Sequence, residues 1–450
     1  MRAWGGTRQD MTDNLANGRV IVTYGRSLMA LTVAHSLAAR GVEVIGCDDI
    51  DFTVLSFSRQ VTKHFVHKPA DKDLGAYLDS LEGHVRKNKP EDGRPYVLMP
   101  VFSDTRLLAQ HRARFDGLIT IAAAPYEAIE KVDPKDRLVE TARTTGIRTP
   151  LTARFTTRAE LEAATREIGF PCLIKPVDMV GGRGVRKFAA LEPMLAYWDE
   201  AAERYDGRAL LQQSVGGDDY CLTALFESGV LKAHMAYRNL SQFPSRTGAG
   251  VVRETIPDAP FLPAAEALLG ALNWNGVAEM DFRWDGNPES EPWLIEVNPR
   301  FWAGLFHSVE SGVDFPWLAY VLAVTSKAPA GAPAEIGSKS KAPGLWLVSA
   351  IEDIARSDID FGKVEEAWGE AMGRIRDRQV LEGLKMAGAS FGKVFDANEA
   401  AHRLKLARRH AAGADSEIVL RDDPLISLGA LFVLGSLIRH RRLPPEVTRK

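Results

Sequence analysis

Apolar and polar positions set out the plan of the chain. Between Arg19 and Cys47 a short apolar run, Val20-Ile21-Val22-Thr23-Tyr24, gives way to Gly25-Arg26-Ser27, then to a helical stretch from Ala30 to Arg40, then to a second run, Val42-Glu43-Val44-Ile45-Gly46-Cys47. Gly41 stops the helix, and the second run is apolar enough to lie inside a parallel sheet. The same alternation returns in Tyr96 to Val101, a helical stretch from Asp104 to Phe115, and Gly117 to Ile121, which predicts an open parallel α/β sheet. Ligands of such sheets bind beyond the carboxyl ends of the strands. Ser58-Arg59-Gln60, Ser103-Asp104 and the turn from Gly25 to Leu28 fall there as weak candidates. The turn either offers backbone N–H groups to a substrate carboxylate or phosphate or simply connects two elements. A dinucleotide fingerprint needs two further glycines at set spacing after the first strand; they are missing, so NAD is not supported.

Beyond this region the pattern changes. Asp133-Pro134-Lys135-Asp136 opens a helix that runs to about Thr145, with Asp133 as N-cap and Pro134 at the first helical position, and Gly146-Ile147-Arg148-Thr149-Pro150 ends it. A helix from Arg158 to Ile168 precedes an apolar strand that ends on Lys175-Pro176. A lysine at the end of a buried strand is costly unless an anion meets it, and phosphate oxygens would meet that need. Val180-Gly181-Gly182-Arg183-Gly184-Val185 follows. Glycines let a backbone approach a polyphosphate and close over it, although such a run taken alone is as often a mobile turn. Further on, Val277 to Trp284 and Pro292 to Arg300 read as strands around the turn Asp285-Gly286-Asn287-Pro288. A hairpin would bring Asp281 close to Glu296 and Asn298, which lie two apart and share a face. Hard oxygen ligands of this kind suit Mg2+ bridging nucleotide phosphates, whereas either strand alone reads as an ordinary half-buried strand with charged ends.

Taken in order, the helix lysine, the lysine strand, the glycine loop and the acidic hairpin resemble the ATP-grasp superfamily over about Arg19 to Ala323. The resemblance implies that Lys135 (with Lys131 as alternative), Lys175 and the loop glycines Gly181, Gly182 and Gly184 hold the phosphates of ATP. It also implies that Gln212, Gln213 and Val215 surround the adenine, and that Asp219, with Asp218 second, holds the ribose hydroxyls. Asp281, Glu296 and Asn298 would bind Mg2+, with Mn2+ as an alternative, and Arg300 would face the transferring phosphoryl group. Gln212 departs from the family pattern, which commonly has glutamate there; an amide can still bond adenine or ribose. Arg238, Arg246 and Arg253 lie between Tyr237 and Glu254 and suit a carboxylate or phosphoryl group, so Arg238 and Arg253 join Arg300 as candidate catalytic residues. His307 could touch the acceptor, or serve the helix that carries it.

The implied activity is ADP-forming ligation of a small-molecule carboxylate to an amine, or less often a thiol, through an acyl phosphate, on a carbamoyl-phosphate-synthase-like ATP-binding domain. An ATP-grasp kinase or hydrogencarbonate-using carboxylase is the alternative within enzymes, and a nucleotide-binding regulatory protein without turnover is the alternative outside them. A biotin-acceptor Met-Lys-Met motif is not present.

Composition changes this picture little. At 450 residues the chain is long enough for two or three domains, and 45% apolar with 26% charged residues is ordinary for a globular protein. A net charge of −3 gives no electrostatic case for nucleic acid. Cys47, Cys172 and Cys221 lack metal-type spacing and read as buried free thiols in a reducing compartment, and Met1 to Gly18 lacks the apolar core of a signal peptide, so the cytoplasm is expected. The expected fold class is mixed α/β and α+β. Residues 1–18 form a flexible N-terminus, 19–130 an open parallel α/β domain preceding the ATP-grasp portion, 131–210 a small lid subdomain and 211–327 a large subdomain with the metal site. Residues 328–344 read as a linker and 345–450 as a mostly helical extension. In that extension Leu425 to Ile438 is too short to span a bilayer of roughly 30 Å at ~1.5 Å per residue. It reads as a helix docked on the body or in a homodimer interface, or, with its basic flank, as a membrane-surface contact through 425–442.

Overall fold

The computed structural model describes residues 15–177, 184–205, 209–243, 249–342, 397–416 and 423. They divide into two compact units. The first holds the described residues up to Arg238, Glu254–Ser338 and Asp423; the second holds those of Asn239–Arg253 and Lys339–Ser416.

The first unit begins with a parallel sheet of β1 (Arg19–Val22), β2 (Glu43–Asp48), β3 (Lys63–Val66), β4 (Tyr96–Met99) and β5 (Thr120–Ile121), in the order β3-β2-β1-β4-β5. Helix α1 (Leu28–Ala38) packs with Val20, Val22, Val44 and Met99, while α2 (Leu74–Lys87) packs with Ile21, Ile45 and Leu98. Both faces are therefore covered, which is why the strands read as continuous apolar runs rather than as alternations. The strand order reverses between β1 and β4, followed by α3 (Asp104–Gln110), α4 (Tyr126–Val132) and α5 (Lys135–Thr144).

A small antiparallel sheet follows, made of β6 (Thr152–Phe155), β7 (Cys172–Pro176), β8 (Arg186–Phe188) and β9 (Ala209–Gln213) in the order β6-β9-β7-β8. Helices α6 (Arg158–Ile168) and α7 (Leu191–Ala201) bury Leu161, Ile168, Met194 and Trp198 against Phe155, Cys172, Ile174 and Leu211. A capping box, Thr157 with Glu160, satisfies the first N–H groups of α6. Alternation along β7 then leaves Leu173 and Lys175 on the opposite face from that core.

The chain crosses to a larger sheet at Gly217, where φ is +95° and a Cβ would lie 2.4 Å from the Trp284 carbonyl carbon, so no side chain fits. Strands β10 (Asp218–Glu227), β11 (Val230–Phe243), β12 (Ala249–Ile256), β13 (Gly276–Trp284) and β14 (Trp293–Asn298) follow, with α8 (Leu262–Ala271) between β12 and β13. In the first unit the neighbours run β14-β13-β10-β11. One face, bearing Tyr220, Leu222, Ala224, Met280, Phe282 and Leu294, packs on α8 and Trp274. The other face is apolar at one end, where Leu225, Met235 and Val277 join the core of α9 (Leu305–Glu310) and α10 (Phe315–Thr325), and carboxylate-rich at the other.

The stretch read as a linker is fastened to the sheet within the first unit: Ala328 N–H donates to Glu227 Oε2 at 2.7 Å and Gly331 N–H to the Lys232 carbonyl at 2.8 Å. In the second unit β15 (Lys339–Lys341) pairs in parallel with β16 (Asp415–Ser416), α11 (Ala397–Ala411) leads into β16, and Ala342 N–H donates to the Val251 carbonyl. Among the described residues no helix is long and apolar enough to cross a membrane. The apolar segment Leu425 to Ile438 with its basic flank, and residues 1–14, lie outside the described residues.

Candidate active site

The site is built on the register of three strands. On β13 and β14, Asp281 stands opposite Glu296 and Glu279 opposite Asn298, so two carboxylates, a third carboxylate and an amide form a block on one face. Cys221 of β10 pairs with both Asp281 and Tyr237, and Thr223 pairs with Glu279. A bulge makes this arrangement work. Leu294 pairs with Phe282 and faces the core, and simple alternation would send Glu296 to the same core; the extra residue Ile295 breaks the register between Asp281 and Phe282 and turns Glu296 to the acid face.

Within the block, Asn298 Nδ2 donates to Asp281 Oδ2 at 3.1 Å and to Glu279 Oε2 at 3.3 Å, and the Tyr237 hydroxyl donates to Glu279 Oε1 at 2.5 Å. Arg300 donates through Nη2 to Asn298 Oδ1 at 2.8 Å and through Nη1 to the Phe301 carbonyl, with its guanidinium 4.7 Å from the Phe102 ring centroid. Lys135, in the first turn of α5, brings Nζ to 3.0 Å from Glu296 Oε1. Lys131 is solvent-exposed.

Lys175 donates to Gln212 Oε1 at 2.5 Å, and Gln212 Nε2 donates to Thr152 Oγ1 at 3.0 Å. Gln212 thus fills its hydrogen bonds between a lysine and a hydroxyl while adding no charge, which leaves the ammonium of Lys175 for an anion. Burial, partly offset by Glu296 and reinforced by Lys135, pulls Lys175 down to about 8.

The donor set fits a hard divalent cation. The acceptor atoms of Cys221, Glu279 and Asp281 lie within 4.8 Å of one another. Burial, with Glu279 and Glu296 adding repulsion, pushes the Asp281 carboxyl well up, so the cluster as it stands holds more negative charge than its surroundings neutralise. Burial also pushes the Cys221 thiol well up, which keeps it a thiol and makes the set an oxygen set. Asp281, Glu296, Glu279 and, after its amide turns, Asn298 are the residues that would hold Mg2+ or Mn2+.

The other sequence-predicted residues are placed as follows. Asp219 lies on the acid face and accepts from Arg283 Nη1 at 2.7 Å. Gln213 Oε1 accepts from the Leu151 N–H at 3.3 Å, and Val215 is half-buried in the crossing between β9 and β10. Arg238 pairs in register with core-facing Tyr220, hence on the opposite face from the acids, and forms an ion pair with Glu254 at 2.5 Å. Arg253 is fully buried in the second unit, where Nη2 donates to the Gly250 carbonyl. His307 is buried behind Tyr237, with Nε2 3.0 Å from Thr255 Oγ1. Ser58 and the Arg59 N–H are held by Asp423 at 2.5 and 3.0 Å. Gly184 has φ +69°, whereas Gly181, Gly182 and Arg246 lie outside the described residues. Glu279, Tyr237 and Arg283 were not singled out from the sequence. Glu279 carried a usable signal, since it lies two residues from Asp281 on one strand and must share its face.

No family model matches the chain. A D-alanine–D-alanine ligase of Ectopseudomonas mendocina is 33% identical over 199 residues, which cover 40% of this chain and 61% of the ligase. The chain thus spans about three fifths of the length of that relative. Among solved structures, the biotin carboxylase domain of the Hydrogenobacter thermophilus 2-oxoglutarate carboxylase, crystallised with MgADP and hydrogencarbonate, matches with a TM-score of 0.57 at 18% identity, over 71% of this chain and 73% of that one. An L-amino acid ligase from Bacillus licheniformis matches with a TM-score of 0.53 at 18% identity, over 69% and 74%.

Proposed function

We propose that the chain is an ATP-grasp enzyme, an ATP-dependent, ADP-forming carboxylate–amine (or thiol) ligase of the cytoplasm. The observation that carries the reading is the single face on which Asp281, Glu279, Glu296 and Asn298 meet Lys135 and Arg300, with Lys175 contributing to the same electrostatic field. A bound Mg2+ would supply charge neutralisation at the phosphates.

The chain's own residues supply the rest. Lys175, freed of a carboxylate partner by Gln212, draws charge from the phosphate that a substrate carboxylate attacks. Arg300, fixed by Asn298 and the Phe301 carbonyl, faces the same group and then the tetrahedral centre formed when the amine adds to the acyl phosphate. Asp219, which accepts from Arg283, is the residue assigned to the ribose hydroxyls on this reading. Positioning and electrostatics suffice for both transfers, and no nucleophilic side chain is required.

The test is ADP release from MgATP with pooled carboxylic acids, with and without pooled amines, and with Glu296→Gln as control. ADP and phosphate formed only when acid and amine are both present support the ligase. A second reading, hydrogencarbonate-dependent carboxylation, is favoured by the similarity to the biotin carboxylase domain; it predicts ADP release that requires hydrogencarbonate and no carboxylic acid pool.

A further inference from the structure

A second buried polar cluster stands at the carboxyl edge of the parallel sheet, between β1 and β4, where the strand order reverses. Two aromatic residues mark the point. Tyr24, just beyond β1, and Phe102, just beyond β4, each have φ of +59°, a left-handed conformation that residues with a side chain seldom adopt and that clusters at functional sites. Their rings stack at 5.0 Å, and Phe102 carries the Arg300 guanidinium at 4.7 Å on its face. The stack therefore joins this edge to the candidate active site by two ring spacings.

Behind Tyr24 lies a cavity of about 20 Å3, room for one water-sized group. Its walls include Asp48, Asp104, His67 and Tyr77. Two buried polar atoms there have no protein partner: Nε2 of His67, which is 6% exposed, and the hydroxyl of Tyr77, which is fully buried. His67 Nδ1 lies 2.9 Å from the Lys68 carbonyl, which can only accept, so Nδ1 carries a proton and Nε2 is left to face the cavity. Arg26 is a poor partner for an incoming anion, because its guanidinium is already engaged by Asp48 and Asp49. With Arg26 so committed, Asp104, whose carboxyl accepts from Thr23 and is pushed up by burial, and the Tyr77 oxygen are oxygen acceptors that no cation of their own neutralises, beside the unpartnered His67 Nε2. A buried surplus of this kind is met by a group with several N–H donors and a positive charge.

We propose that this cavity is an anchoring subsite for a primary ammonium group of the substrate. It selects a small molecule whose cationic amino group is separated by several bonds from the group that reacts near Arg300. The anchored amine is not the nucleophile on this reading, since Tyr24 lines the cavity while Arg300 is held on Phe102, the next ring of the stack. The substrate therefore carries two functional ends, as amino acids and diamines do. The assignment of the ligand as substrate rests on the ligase reading; binding of the ammonium group does not.

The experiment uses the full chain with 15N-labelled histidine, the His67 signal being assigned with His67→Gln. 1,4-Diaminobutane is titrated against succinate, which has the same number of carbons and the opposite charge, and MgADP binding is measured in the same samples. The expected result is a saturable shift of the His67 ring nitrogens with the diamine and none with succinate, with affinity falling about tenfold in Asp104→Asn, the worth of one charge-assisted hydrogen bond. Tyr77→Phe, which keeps the ring, is the second variant and is expected to weaken binding about threefold. No saturable shift with the diamine, an equal shift with succinate, or unchanged affinity in both variants overturns the subsite. Failure of MgADP to bind while the diamine still shifts His67 overturns the nucleotide reading and leaves the subsite standing.

Discussion

Two clusters of buried carboxylates lie on the two large sheets of the first unit, and they are balanced in opposite ways. At the edge of the parallel sheet, Asp48 and Asp49 share the guanidinium of Arg26, which also donates its backbone N–H to Asp48 at 3.0 Å. On the β13–β14 hairpin, Glu279, Asp281 and Glu296 share a face where Asn298 contributes an amide in place of a cation and Lys135 reaches Glu296 from the side. Asp48 and Asp49, unlike Asp104 beside them, carry their counter-charge in the sequence, and the hairpin acids leave much of theirs to a ligand. A self-neutralised cluster holds the fold and positions its neighbours, whereas an under-neutralised one stores repulsion that binding relieves.

Removing the built-in charge should therefore have the largest effect on folding. Arg26→Leu leaves Asp48 and Asp49 buried without their cation, and truncating one side of a buried pair costs about 3–5 kcal/mol. Denaturant unfolding is expected to show a loss of that size; a loss below about 1 kcal/mol would erase the contrast with the hairpin. The counterpart on the hairpin is Glu296→Gln. It removes an acid from an acid-rich face and a part-exposed pair with Lys135, so stability is expected to change by less than about 1 kcal/mol. ADP formation should fall by about 10²- to 10³-fold, the scale for removing one preorganised electrostatic group. A collapse of the melting temperature with Glu296→Gln would mean that the hairpin acids serve the fold.

Gln212→Glu tests the same distinction at the lysine. It places a carboxylate 2.5 Å from Lys175 and converts a cation reserved for a ligand into one already paired. MgADP affinity is expected to drop about tenfold while the fold is kept, measured by calorimetry. Unchanged affinity would assign Lys175 to the structure of the small sheet.

The difference between the clusters also explains what could be read from the sequence. The hairpin acids lie within twenty residues on two strands joined by a turn, so period-two alternation puts Glu296 with Asn298 on one face and Glu279 with Asp281 on another, and the turn brings the two strands side by side. What alternation could not show is the Ile295 bulge, because a one-residue slip in register leaves no mark in composition. The parallel sheet was legible as a fold from its βα alternation, and Ser103-Asp104 was placed beyond a strand end. The partners that give Asp104 its setting, His67 and Tyr77, come from separate segments, and only the strand order brings them to one edge. Arg238 and Arg253 shared a stretch rich in arginine, yet register places Arg238 on the core side of its sheet and Arg253 is buried in the second unit. Proximity in sequence is a guide along one hairpin and a weak one along a strand whose alternate residues face opposite ways.

The smallest expected effect is a pH dependence set by Lys175. Burial disfavours its ammonium more than Glu296 favours it, and the group falls from 10.5 to about 8. Phosphate binding requires the charged form, so the competent fraction falls as pH rises through 8, from about nine tenths at pH 7 to about a quarter at pH 8.5. The apparent Kd for MgADP should therefore rise about fourfold across that interval. The linked effect on stability has the opposite sense: the folded state gives up this proton before the unfolded chain does. The burial cost of the ammonium is thus present in full below pH 8 and is relieved as pH climbs from 8 toward 10.5. Gln212→Glu should move the break in the binding profile to higher pH, because the new carboxylate retains the proton. If wild-type affinity instead stays flat from pH 7 to 8.5, Lys175 is held charged by its surroundings and belongs with Arg26 among the built-in counter-charges.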